Sequence, residues 1–380
     1  MSQYINLIIE ISFFDEGAQI LWRNSICIIK LQHKYILINI NKNRVYYLKK
    51  NSHFYFLQKN NKCIYTFTRI MEVGKKVLAW LRMVRPPIMF LCSFGALVSA
   101  LNCAIFLNVE LSIFQMFMIV IAAACLSTGI MLHNDVPDLE SDKINRPHKP
   151  LPQGIIKVKT AYYTGLFLMF LSIVLALFIN YKGDGSLNWN CAIFTAILVT
   201  LGIYYNYHGK KHGIFGHMAV AFGVGGIPYW GGIAAFPEFP LLMLPLGVAI
   251  FFQETGREIM VCVGDYIGDL KAGWKTTPVK MGRKKSMYLA LVFYLLFIPL
   301  FILPVYDWAG LGAAKIFGTV YLIGGSLLAF GLLFTWIMSY RALLTNDEKI
   351  IWRAFERYER TGTRAMIIVF QIFILLEVFY

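Results

Sequence analysis

Asn134-Asp135-Val136-Pro137-Asp138-Leu139-Glu140-Ser141-Asp142 closes a long apolar run and decides how the chain is read. Asp135, Asp138 and Asp142 follow one another at i, i+3 and i+7, a spacing that puts side chains on one face of a helix. Asp265 and Asp269, at i and i+4, end a second apolar run. Carboxylates gathered at the edge of a hydrocarbon layer are costly unless a cation compensates them. Two such clusters point to Mg2+ ions holding a diphosphate, because Mg2+ takes one or two carboxylates and fills its shell with substrate phosphate oxygens.

The rest of the chain places those clusters at a membrane. Its 380 residues are 58% hydrophobic and 15% charged, with a mean hydropathy of +0.58, whereas soluble chains carry about 25% charged residues. Nine stretches are long enough to cross a bilayer, at about 86–107, 112–134, 158–180, 189–207, 216–236, 239–262, 287–305, 315–340 and 364–380. The sixth is the weakest, since its end carries Glu254, Arg257 and Glu258, and the ninth is among the shortest. The pattern predicts an all-α polytopic membrane bundle of about nine transmembrane helices.

The net charge of +15 has a distribution that argues against nucleic acid. Basic residues crowd alternate connections: Lys75, Arg82 and Arg85 before the first span, Lys143 to Lys159 after the second, Lys210 and Lys211 after the fourth, Lys271 to Lys285 after the sixth, and Arg341 to Arg364 between the last two. The opposite connections carry little beyond Lys182 and Lys315. This alternation predicts a cytoplasmic amino terminus and puts both aspartate clusters on the cytoplasmic side. The seven cysteines form no CxxC pair and read as reduced packing residues, and the histidines show no metal-ligand spacing. Residues 1–70 show no sustained period and read as a poorly structured extension, with residues 71–380 as the membrane domain and Met71 or Met83 as a candidate start.

The first cluster continues as Lys143-Ile144-Asn145-Arg146-Pro147-His148-Lys149-Pro150-Leu151-Pro152-Gln153-Gly154. Asn134 and the aspartates supply hard oxygen ligands, Arg146 and Lys149 can meet phosphate oxygens, and the prolines and Gly154 end the helix in a loop.

This run resembles the first signature of the UbiA-type intramembrane prenyltransferases. Arg257-Glu258-Ile259 through Asp265-Tyr266-Ile267-Gly268-Asp269 resembles their second, and Tyr205-Asn206-Tyr207-His208-Gly209-Lys210 their tyrosine- and lysine-bearing connection. The similarity covers about residues 80 to 380 and is greatest to digeranylgeranylglyceryl phosphate synthases. The chain departs from the pattern at Val261-Cys262, where Lys-Asp is common, and at Ile88 and His217, where Asn is frequent.

The resemblance implies a helical bundle around a central cavity. It implies an Mg2+-dependent transfer of a prenyl group, most simply geranylgeranyl, from its diphosphate to a lipid acceptor. Asp135, Asp138, Asp142, Asp265 and Asp269 would be the metal-holding catalytic residues. Asn134, Arg146, Lys149, Tyr205, Lys210, Arg257 and Glu258 would bind substrate. Three of these keep a structural alternative: an Arg257–Glu258 salt bridge inside the sixth span, Lys210 as an interface anchor, and Tyr205 as a belt residue. Cys262 shares the helical face of Glu258, Asp265 and Asp269 but is a poor Mg2+ ligand, and reads as packing. Two rival functions stay open at this point: an aromatic-acceptor prenyltransferase of quinone or chlorophyll biosynthesis, and a transporter or silent scaffold.

Overall fold

The computed structural model describes the backbone of residues 19–23, 26–31, 34–39, 44–49, 54–56 and 61–71. It describes residues 72–181, 186–209, 213–237, 241–306 and 316–377 with their side chains. The chain divides into two compact units, Met1–Leu78 and Ala79–Tyr380.

In the first unit, β1 (Gln19–Arg23), β2 (Ile26–Leu31), β3 (Lys34–Asn39), β4 (Arg44–Lys49) and β5 (Phe54–Phe56) form an antiparallel meander in sequence order. Leu21 lies opposite Ile28, Ile28 opposite Leu37, and Leu37 opposite Tyr46. This differs from the unstructured extension expected there. The strands are three to six residues long, too short to show a period, and the signal lies instead in β-branched and aromatic residues such as those of Lys34-Tyr-Ile-Leu-Ile-Asn39. Helix α1 (Asn61–Val84) begins in this unit and ends in the next.

Every described element of the second unit is helical. The long helices are α2 (Pro86–Phe106), α3 (Ile113–Asn134), α5 (Val158–Phe178), α6 (Trp189–Tyr207), α7 (Ile214–Ala235), α8 (Leu244–Lys271), α10 (Arg283–Ile302), α11 (Thr319–Leu344) and α13 (Thr363–Glu377). Short helices α4 (Leu139–Asn145), α9 (Thr277–Met281) and α12 (Glu348–Ala354) follow α3, α8 and α11. Local chemistry sets several boundaries. Pro86 opens α2 at a first-turn position that needs no N–H donor, and a reciprocal Ser112–Gln115 capping box opens α3.

Among the described residues, the nine long helices close into a ring. Each packs on the next in sequence, and α13 returns to α2. Close approach needs glycine at two seams: a Cβ on Gly225 would meet the Gly247 carbonyl of α8, and one on Gly231 the Ala96 carbonyl of α2. Outward-facing side chains such as Phe117, Phe167, Phe170 and Phe330 are more than half exposed, a surface suited to lipid rather than water. Among the described residues, seven helices are long and apolar enough to cross a membrane by length and composition, two fewer than the nine expected. The exceptions are α8, 28 residues long but carrying Glu254, Arg257, Glu258, Asp265, Asp269 and Lys271, and α13, with 15 residues.

Candidate active site

The first aspartate cluster is not one continuous helix. Helix α3 ends at Asn134 with Asp135 as its C-cap, and α4 starts after Asp138. Pro137 has no N–H to continue the ladder, so the chain turns there. The three aspartates of the i, i+3, i+7 pattern therefore sit at a helix end, a helix start and a first turn, and point to different partners. Asp135, Asp138 and Asp142 are nevertheless all buried, at 4%, 4% and 3% exposure.

A cavity of about 360 Å³ opens inside the ring. Of the twelve residues singled out in the sequence, Asn134, Asp138, Arg146, Lys149, Tyr205, Arg257, Glu258, Asp265 and Asp269 line it. Lys210 lies outside the described residues. Asp135 and Asp142 stand behind the wall and hold its cations. Arg85 pairs with Asp135. The Lys149 ammonium bonds Asp135 at 3.1 Å and Asp142 at 2.6 Å, and Arg146 reaches Asp142 at 3.2 Å.

The two acidic clusters, far apart in sequence, meet through three contacts. Arg146 donates from Nη2 to both oxygens of Asp265, at 2.8 and 2.7 Å. The Ser141 hydroxyl donates to Asp269 at 3.1 Å. The Asn145 amide donates to the Asp265 carbonyl at 3.0 Å and accepts from the Gly268 N–H at 3.1 Å. Asn145 is thus a backbone clasp between α4 and α8, which is why position 268 is glycine: a Cβ there would collide with the Asn145 amide. Ser141 and Asn145 lie within the quoted signature, but only the fold shows what they grip.

Distant residues that the sequence reading did not select complete the wall. Arg360 donates to Asp265 at 2.6 Å and pairs with Glu356. Both lie in a π-helical stretch, Phe355–Gly362, between α12 and α13. Such wound-out turns are rare and frequent at functional sites. On α8, Arg257 contacts Glu254 at 2.5 and 2.7 Å, Glu258 at 2.5 Å and Glu359 at 3.3 Å. Arg257 and Glu258 are therefore both an internal salt bridge and part of the cavity wall.

The electrostatics outside the spans follow these contacts. Burial by itself would raise the Asp135 carboxyl, but Arg85 and Lys149 more than offset it and hold it below the usual range. Burial and the nearby Arg85 lower the Lys149 ammonium despite Asp135 and Asp142. Burial would lower Arg146, yet Asp265, Asp142 and Glu356 keep it raised. Burial pushes the Glu359 carboxyl up to about 7, against the pull of Arg257, Arg360 and Arg364.

A ring of apolar helices around a cavity walled by interlocked carboxylates and guanidinium groups defines an integral-membrane protein with a polar, charge-lined cavity. The chain belongs to the UbiA prenyltransferase family, whose model matches residues 88–357. The chain is similar to digeranylgeranylglyceryl phosphate synthase of Thermococcus gammatolerans, 33% identical over 58% of this chain and 76% of that one. The enzyme of that name from Sulfurisphaera tokodaii is 30% identical, over 55% and 70%. That from Pyrococcus horikoshii is 33% identical, over 47% of this chain and 61% of its own. In fold the chain matches a solved structure concerned with digeranylgeranylglyceryl phosphate synthase in membranes, with TM-score 0.57, 24% identity and coverage of 80% of this chain and 99% of that one. It also matches a UbiA homolog from Archaeoglobus fulgidus bound to GPP and Mg2+, with TM-score 0.55, 18% identity and coverage of 80% and 100%.

Proposed function

We propose that residues 71–380 transfer a prenyl group, geranylgeranyl in the simplest reading, from its diphosphate to the hydroxyl of a geranylgeranylglyceryl phosphate lipid, in ether-lipid synthesis. The observation that carries this is the Arg146 bridge, which brings both acidic clusters to one cavity. Support comes from the names of the relatives and from the GPP and Mg2+ bound by the A. fulgidus homolog.

The donor atoms fit Mg2+. Asn134 Oδ1 is buried without a hydrogen-bond partner, and Asp138 and Asp269 line the same cavity, so the set is one of hard oxygens. Among the described residues no three carboxylate, histidine or cysteine side chains converge as a ready-made metal site; Asp135, Asp142 and Asp265 are engaged by Arg85, Lys149, Arg146 and Arg360. Asn134, Asp138 and Asp269 would hold the ion, which would supply charge neutralisation to the diphosphate leaving group.

The chain's own residues do the rest. Arg146 and Lys149 offer fixed donors to phosphate oxygens. The apolar end of the cavity, with Leu198, Val224, Ile227 and Trp230, takes the isoprenoid and excludes water from the allylic centre. The allylic C–O bond to the diphosphate breaks and an ether bond to the acceptor oxygen forms. The hydroxyl proton leaves to a wall carboxylate or to the departing diphosphate. The basic cytoplasmic connections support a site opening toward the cytoplasm.

The test is transfer by the purified protein from geranylgeranyl diphosphate to geranylgeranylglyceryl phosphate or to aromatic acids. Ether product should form with the lipid only, stop with a chelator and return with Mg2+. Asp138→Asn and Asp269→Asn should each lower turnover by about 100-fold or more while the protein stays folded. Exclusive transfer to the aromatic acid, or full activity in both variants, would refute the reading.

A further inference from the structure

Six fully basic side chains line the cavity, and five are ion-paired: Arg85, Arg146, Lys149, Arg257 and Arg360. The sixth, Arg364, lies in the first turn of α13 and makes no hydrogen bond or ion pair among the described residues. Glu359 attracts it through space, while Arg257, Arg85 and Arg360 repel it. Glu254 also lies within electrostatic range, but both of its oxygens bond Arg257. A guanidinium stays charged under all ordinary conditions. An apolar bundle that keeps one facing its cavity, crowded by like charge and without a bonded counter-ion, has built a place for an anion.

Arg360 is tied to Asp265 at 2.6 Å, and Arg364 follows four residues later, past the π-helical stretch and in the first turn of α13. We infer that Arg364 binds the phosphate monoester of the lipid acceptor within the same cavity, so that the acceptor hydroxyl lies between that phosphate and the diphosphate. The inference rests on the proposed lipid-acceptor reading. Arginine suits the task because its planar fork meets two phosphate oxygens at once.

The experiment uses the full-length protein with geranylgeranyl diphosphate, Mg2+ and two acceptors, geranylgeranylglyceryl phosphate and its phosphate-free counterpart geranylgeranylglycerol. Arg364→Gln should raise KM for the phosphate acceptor by about 10- to 100-fold, the loss of one charge-assisted contact. It should leave KM for the diphosphate within about twofold and change transfer to geranylgeranylglycerol little, and Arg364→Lys should recover part of the loss. If the Gln variant does not fold, the Lys variant carries the comparison, with a smaller rise confined to the phosphate acceptor. An unchanged acceptor KM, or an equal rise in KM for donor and acceptor, overturns the inference. Wild-type protein that ignores the phosphate lipid and prenylates an aromatic acid overturns the proposed function instead.

Discussion

Arg146 and Asp265 stand 119 residues apart in the chain and meet through two hydrogen bonds of 2.8 and 2.7 Å. The contact joins the loop after α4 to the C-terminal part of α8, and Arg360 shares the same carboxylate. A charge that serves two carboxylates and faces a cavity fixes the spacing of both acidic clusters before any ligand arrives.

Arg146→Lys keeps the charge and loses the fork that reaches Asp142 and Asp265 together. Steady-state kinetics should show kcat/KM reduced by about tenfold or more, corresponding to one bidentate charge-assisted contact. A Lys variant with wild-type kinetics would mean that only charge matters at this position.

Gly268→Ala places a methyl group against the Asn145 amide. The clasp to the Asp265 carbonyl and the Gly268 N–H must then open. Prenyl transfer should fall by about tenfold or more, while the melting temperature in detergent drops only a few degrees, since overpacking at one site costs about 1–3 kcal/mol. A large thermal loss with normal activity in the surviving protein would place the clasp outside the reaction.

Glu359 is fully buried, and its carboxyl titrates near 7 instead of in the usual carboxylate range. A raised carboxylate pKa means the folded state holds the proton more tightly than the unfolded chain. Its contribution to stability is then greatest at low pH and declines as pH rises from about 4.5 to about 7. Thermal melts of wild type and Glu359→Gln should shift steadily in favour of the Gln variant across that window and keep a constant gap above it. A gap that does not vary with pH would show that Glu359 is ionised throughout.

Cys262 is buried on the cavity wall between Glu258 and Asp265. As a packing residue it should tolerate Ala with turnover within about twofold and unchanged dependence on Mg2+, because a thiol is a poor ligand for that ion. Loss of activity, or a higher Mg2+ requirement, would give the sulfur a place in the metal site.

The helical class of the membrane unit was legible because hydropathy and the spacing of basic connections are properties of the chain alone. Both aspartate clusters were legible for the same reason, since carboxylates at the end of an apolar run stand out in any sequence. The span count was less so. Among the described residues, length and composition pass seven helices, while α8, with its charged end, and α13, described over 15 residues, take their places in the ring through packing on their neighbours. The five strands of the first unit were missed because stretches this short carry propensity without period.

What the sequence determined by itself is therefore the solvent each segment requires and the place of two acidic motifs at the ends of apolar runs. Only the tertiary structure decided that Pro137 splits the first cluster, that Asp135 and Asp142 brace cations while Asn134 and Asp138 face the cavity, and that Arg85, Glu356, Glu359, Arg360 and Arg364 join the site. The physical reason is range. Hydropathy and helical spacing act between near neighbours in the chain, whereas an ion pair needs two groups within about 4 Å, a distance set here by the closing of a helical ring.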